Sequence, residues 1–160
     1  MALVIHVFCQ DRRPVSAAEI AGFISEGCYF ARPVEIGRVP LSAGQDDDLA
    51  WSEMLIVYAA GRRPVVLQRE GRMEELAREA AEAIGELETG NAMASRRRLL
   101  SDLEQARQLF AIELDDRNLT EDCWEMVDGL QSWIARERKG VIYVAGEGLY
   151  DADLQRVLST

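Results

Sequence analysis

The chain has 160 residues, 48% of them hydrophobic and 29% charged, with 28 acidic against 18 basic side chains and a net charge of -10. A chain of this length supports one hydrophobic core without disulfide or metal staples, and its ordinary apolar content excludes intrinsic disorder over most of its length. Its negative sign repels polyanions at long range, which disfavours nucleic acid and favours a basic protein partner; Arg96, Arg97 and Arg98 form the one basic run that opposes this.

Ala2 to Cys9 is apolar on both alternating faces, the pattern of a strand inside a sheet. Ser16 and Glu19 have capping-box spacing, with Val15 and Ile20 placed as a hydrophobic staple, so a helix starts at Ala17 and ends by Gly27. Val34 to Val39 reads as a short strand, followed by a loop from Pro40 to Leu49 that carries Asp46, Asp47 and Asp48. Trp51 to Ala59 and Pro64 to Gln68 read as two strands joined by a turn at Gly61. Pro64 is tolerated at the head of its strand because that position need not donate to the ladder.

Arg72 to Glu88 is the clearest helix. Met73, Leu76, Ala77, Ala80, Ala81, Ile84 and Leu87 form one apolar face, while Glu74, Glu75, Glu79, Glu82 and Glu86 point away. Thr89, Gly90 and Asn91 end it. Ala94 to Arg107 reads as a second helix burying Leu99, Leu103 and Ala106; its three arginines lie near the N-terminus, where cations are electrostatically unfavourable. Gln108 to Asp115 is a strand, Leu119 to Glu137 an amphipathic helix capped by Asn118 or Thr120 and broken at Lys139 and Gly140, Val141 to Ala145 a buried strand, and Asp151 to Leu158 a short terminal helix.

The whole of 1–160 therefore reads as a single α+β domain, a mixed sheet of five or six strands with about four helices packed on it. No apolar run approaches the roughly 20 residues needed to span a bilayer, and the opening Met1 to Cys9 lacks the features of a secretion signal. Cys9, Cys28 and Cys123 are odd in number and widely spaced in apolar surroundings, which predicts reduced core thiols and a cytoplasmic setting. One internal echo pairs Val7, Phe8, Arg12, Arg13, Pro14 and Val15 with Val57, Tyr58, Arg62, Arg63, Pro64 and Val65; duplication and chance both account for it.

The candidates for chemistry are few. His6 and Cys9, three apart on a strand, point to opposite faces and cannot form a dyad. A single histidine and scattered cysteines exclude the usual zinc spacings, and adjacent Asp46, Asp47 and Asp48 cannot all turn onto one ion, so no metal or cofactor is expected. Gly146, Glu147 and Gly148 follow a strand but place a carboxylate where a phosphate would sit. Glu113 and Asp115 share a strand face and would suit acid and base work only inside a cleft.

The leading expectation is a non-enzymatic interaction or regulatory module, a role that a small acidic antidote or regulatory subunit would fit, with Asp46, Asp47 and Asp48 contacting a basic protein; self-association is compatible with it. The alternative is a sensor or enzyme that holds a small anionic ligand between the Arg12, Arg13 and Arg62, Arg63 turns.

Overall fold

The computed structural model describes residues 2–40, 48–87 and 94–159. Among them, the strands read from the sequence all form: β1 (Ala2–Cys9), β2 (Glu35–Pro40), β3 (Trp51–Val57), β4 (Val65–Glu70), β5 (Gln108–Asp115) and β6 (Gly140–Val144). Four helices accompany them, α1 (Ala17–Glu26), α2 (Met73–Leu87), α3 (Ala94–Glu104) and α4 (Glu121–Glu137). The loop from 41 to 47, with Asp46 and Asp47, and the helix stop at Thr89, Gly90 and Asn91 lie outside the described residues.

The sheet departs from expectation in two ways. It has eight strands, in the order β2-β3-β4-β5-β1-β6-β7-β8, because β7 (Gly148–Tyr150) and β8 (Arg156–Ser159) follow β6. The β1–β6, β2–β3, β3–β4, β6–β7 and β7–β8 ladders are antiparallel, where a mixed sheet was expected. Strands that are apolar on both faces are shared by parallel sheets and by covered antiparallel ones, so that pattern alone did not discriminate.

No terminal helix forms, and the reason is Asp151. Its carboxylate accepts the backbone N–H groups of Asp153 (2.9 Å) and Gln155 (3.0 Å), closing a turn that returns the chain as β8. Local side-chain bonds of this kind compete with helix. Gly148, at φ 141, makes the return possible, since a Cβ there would collide with the Leu158 carbonyl of β8.

The chain divides into two compact units, each built from separated stretches: 1–4, 13–69 and 111–130 in the first, 5–12, 70–110 and 131–160 in the second. In the first unit α1 begins as its sequence dictates. The Ser16 hydroxyl accepts from Glu19 N–H (3.0 Å) and the Glu19 carboxylate from Ser16 N–H (2.8 Å). Asp48 reinforces that end: its carbonyl accepts from Ala17 N–H (2.9 Å), and its carboxylate takes Ala18 N–H (3.4 Å) and the Arg38 guanidinium (2.9 Å). A carboxylate there complements the positive end of the helix dipole. The fully buried Trp51 donates its indole N–H to the Val15 carbonyl at 2.8 Å, so its polar atom is satisfied inside the core.

Gly27 ends α1, although not for the conformational reason that its identity suggests. Its φ is -70, and it is Cys28 that turns left-handed, with φ 51. Glycine is needed at 27 for space, because the Tyr29 ring lies where a Cβ would be, and Gly129 on α4 is constrained in the same way by the Tyr29 hydroxyl. Cys28 is exposed, which corrects the expectation of a core thiol.

The second unit has its own core, made by Phe8, Leu76, Ala80, Ala83, Leu87, Leu103, Ala106, Leu109, Tyr143 and Leu149. Each large side chain so buried stabilises the fold by about 1.5–3 kcal/mol. Its β1–β6 ladder sets His6 opposite Tyr143 and Cys9 opposite Gly140. Gly140 admits no side chain: a Cβ would lie 2.9 Å from Val7 and 3.0 Å from the Ala135 backbone. The echo between residues 7–15 and 57–65 has no structural counterpart, since the first copy leads from β1 into α1 and the second through the Gly61 turn into β4.

Candidate interaction site

Helix α2 organises the site, and its residues follow a finer pattern than one apolar face. Leu76, Ala80, Ala83 and Leu87, spaced four, three and four apart, are the positions buried in the second unit's core. Met73, Ala77, Ala81 and Gly85, spaced four apart, are exposed. The apolar set read from the sequence spans more of the helix circumference than the stripe of about 100° that lies on a core, and the surplus forms a separate flank.

On the opposite flank the carboxylates do not simply point away. Glu86 accepts the Tyr143 hydroxyl with one oxygen and Gly146 N–H, at 2.7 Å, with the other, so it ties the last turns of α2 to β6 and to the turn that follows it. One turn or so earlier, Arg78 bridges Glu75 (2.5 Å), Glu79 (3.1 Å) and Glu82 (3.5 Å). Glu79 also lies 3.8 Å from His6 Nε2.

His6 is sandwiched in this arrangement, its ring 6.3 Å from Tyr143 and 6.0 Å from Phe8, with a buried Nδ1 that has no hydrogen-bond partner. Burial lowers its pKa below the usual histidine value, against the opposing pull of Glu79 and Glu82. Burial also suppresses two thiols, one in each unit. Burial pushes the Cys9 thiol up to about 12 and the Cys123 thiol up to about 11, so neither supplies thiolate near neutrality. The His6, Tyr143 and Glu86 set is a structural clamp on α2.

The exposed flank borders a groove of about 460 Å³ between α2 and α3. Its walls are Met73, Ala77, Ala81 and Gly85 on α2, Leu103 and Glu104 on α3, and Ala106 just after α3, with Leu76, Ala80 and Ile84 beneath. Met73 is 55% exposed, the largest exposure of any bulky apolar residue described. Glu74, Glu82 and Glu104 are exposed on the same two helices. Arg97 and Arg98 are exposed in the N-terminal half of α3, towards the far end of that helix from Glu104.

The residues singled out from sequence fall elsewhere. Asp48 is engaged by α1 and Arg38, as described, which leaves Asp46 and Asp47 as the remainder of that proposed surface, outside the described residues. Arg62 donates to the carbonyl and to the side-chain oxygen (2.8 Å) of Asn118. Arg63 and Arg13 are exposed in the first unit, and Arg12 is exposed in the second. Asp115 accepts Arg117 N–H at 3.3 Å in the turn after β5, and Glu113 and Asp115 are both half-buried. A second concavity, about 430 Å³, lies in the first unit between α1 and the chain leading to β2, lined by Tyr29, Phe30 and the exposed Arg32 among others.

Among the described residues no helix is long and apolar enough to cross a membrane, and no group of three or more His, Cys, Asp or Glu side chains is arranged to hold a metal ion. No protein-family model matches the chain, and neither the curated proteins nor the solved structures contain a match to it.

Proposed function

We propose that this chain is a non-enzymatic interaction or regulatory module that binds a basic protein in the cytoplasm. The observation that carries the reading is the pair of exposed carboxylates Glu74 and Glu104 on two adjacent helices, with Glu82 exposed beside Arg78, in a chain whose net charge is -10. Acidic surfaces of this kind accelerate encounter with basic partners and set the salt dependence of association. Asp46 and Asp47 belong to the same reading, whereas replacing Asp48 would also remove the contacts it makes to α1 and Arg38.

Native mass spectrometry on the protein purified gently from its own cells tests this, with a Glu74→Gln, Glu82→Gln, Glu104→Gln variant beside it. The expected result is a second polypeptide, retained by the parent chain, released by salt and weakened by the variant. A reproducible small-molecule adduct in its place would overturn the reading in favour of an anionic ligand. The observation favouring that second reading is the first unit's cleft, where Arg32 stands exposed beside Tyr29 and Phe30; Arg62, by contrast, is already engaged by Asn118. Arg32→Gln should then abolish the adduct.

A further inference from the structure

We propose that the groove between α2 and α3 is the seat for an amphipathic helix of the partner, apolar along one face and basic along its flanks. This rests on the basic-partner reading and adds the place and the shape of the contact. The groove's exposed wall from Met73 to Gly85 runs about 18 Å along α2 at roughly 1.5 Å per residue, a length met by three to four turns of a docked helix. Ala77, Ala81 and Gly85 carry almost no side-chain volume, which allows the backbone of a second helix to approach closely. Met73 at one end supplies an adaptable apolar contact.

Gly85 gives an independent reason. A glycine inside a helix costs about 1 kcal/mol relative to alanine. Among the described residues, a Cβ at Gly85 would meet nothing within 4 Å, so no contact among them requires the missing side chain. In the free chain its cost has no return; with a helix seated on the groove, the absent side chain is what lets the two backbones meet.

Charge selects the occupant. The floor is apolar, while Glu104 lines the groove and Glu74 is exposed on the helix that forms its longer wall; Glu82, on the far flank, is also exposed but is bridged by Arg78. A docked helix with Leu- or Ala-type residues at i, i+3, i+4 and i+7 fills the floor, and Lys or Arg on its flanks meets Glu74 and Glu104. A second copy of this chain would bring its own charge of -10 and the same acidic flanks to the contact, an arrangement opposed by like-charge repulsion.

The test uses the full chain and two synthetic peptides of about 20 residues, both made of Leu, Ala and Lys, one patterned as an amphipathic helix and the other a scramble of the same composition. The patterned peptide should bind at least about tenfold more tightly, roughly 1.4 kcal/mol, and an Ala81→Gln, Gly85→Gln variant should lose that advantage while keeping the weak binding of the scramble. Glutamine is neutral and favours helix, so fold and charge are preserved, and a thermal melt checks this. If both peptides bind equally, or the variant binds the patterned peptide as well as the parent does, the groove is not the seat although the basic-partner reading survives. If neither peptide binds, both fall. A homodimer in sedimentation that the variant dissociates would assign the groove to a second copy and overturn the proposal.

Discussion

Along α2 the carboxylates of one flank are held by their surroundings, whereas the apolar residues of the other flank stand open. Glu86 is fixed by Tyr143 and Gly146, and Glu79 by Arg78 beside His6. Met73, Ala77, Ala81 and Gly85 line an unfilled groove. This inverts the usual reading of an amphipathic surface helix, in which polarity marks the free side. Charge here does part of the work of attaching the helix, and the apolar flank remains for contact.

The largest effect that would sharpen the contrast is in the core. Leu76→Ala should cost about 2–5 kcal/mol in denaturant unfolding, because Leu76 is buried in the second unit's core. Met73→Ala, three residues earlier, should change stability by no more than about 0.5 kcal/mol. Equal losses would mean that the exposed flank is part of the core after all.

Next comes the clamp. Tyr143→Phe removes the donor to Glu86 and should cost about 1–3 kcal/mol, with α2 amides near Glu86 losing protection in hydrogen exchange. An unchanged stability and exchange pattern would make the acidic flank ornamental and break the contrast. On the open flank the sign reverses: Gly85→Ala should stabilise by about 0.5–1 kcal/mol, read as a raised Tm. Destabilisation there would reveal an internal contact and close the groove.

The smallest effect is a pH dependence. The His6 side chain is about one-fifth exposed, so solvent moderates its interactions. Its folded pKa is lowered by burial while an unfolded histidine titrates near 6.5. The unfolded state therefore binds the proton first, so the contribution is present above about pH 6.5 and is lost as pH falls through the folded value. Stability should decline between about pH 7.5 and 5.5, and His6→Phe should flatten that decline. A parent chain whose stability is flat over the interval would remove His6 from the clamp. The groups facing the ring are Glu79 and Glu82 from α2, with Arg78 bridging both, and Tyr143 and Phe8 from the sheet.

Local chemistry made much of the fold legible. The Ser16 and Glu19 box placed the start of α1 at Ala17, Gly61 placed the β3–β4 turn, and the Cys123, Val127, Leu130 and Ile134 spacing placed α4, whose entry is capped by Thr120 rather than Asn118. What escaped was set by tertiary contact. β7 and β8 are three and four residues long, too short for alternation to register. The candidate groove escaped because an apolar residue in a helix reads as buried, and only the spacing of Leu76, Ala80, Ala83 and Leu87 could have separated the core positions from Met73, Ala77, Ala81 and Gly85. Glu86 escaped because its partners are distant in sequence.

The distribution of thiols has a practical consequence for watching this molecule breathe. Cys28 is open to reagent, while Cys9 and Cys123 are buried, the first in the second unit and the second in the first. A native pulse of alkylating reagent should mark Cys28 at once and the other two only when their surroundings open. Each unit thus carries its own internal clock, and the ratio of the two labelling rates measures whether they come apart together or in turn.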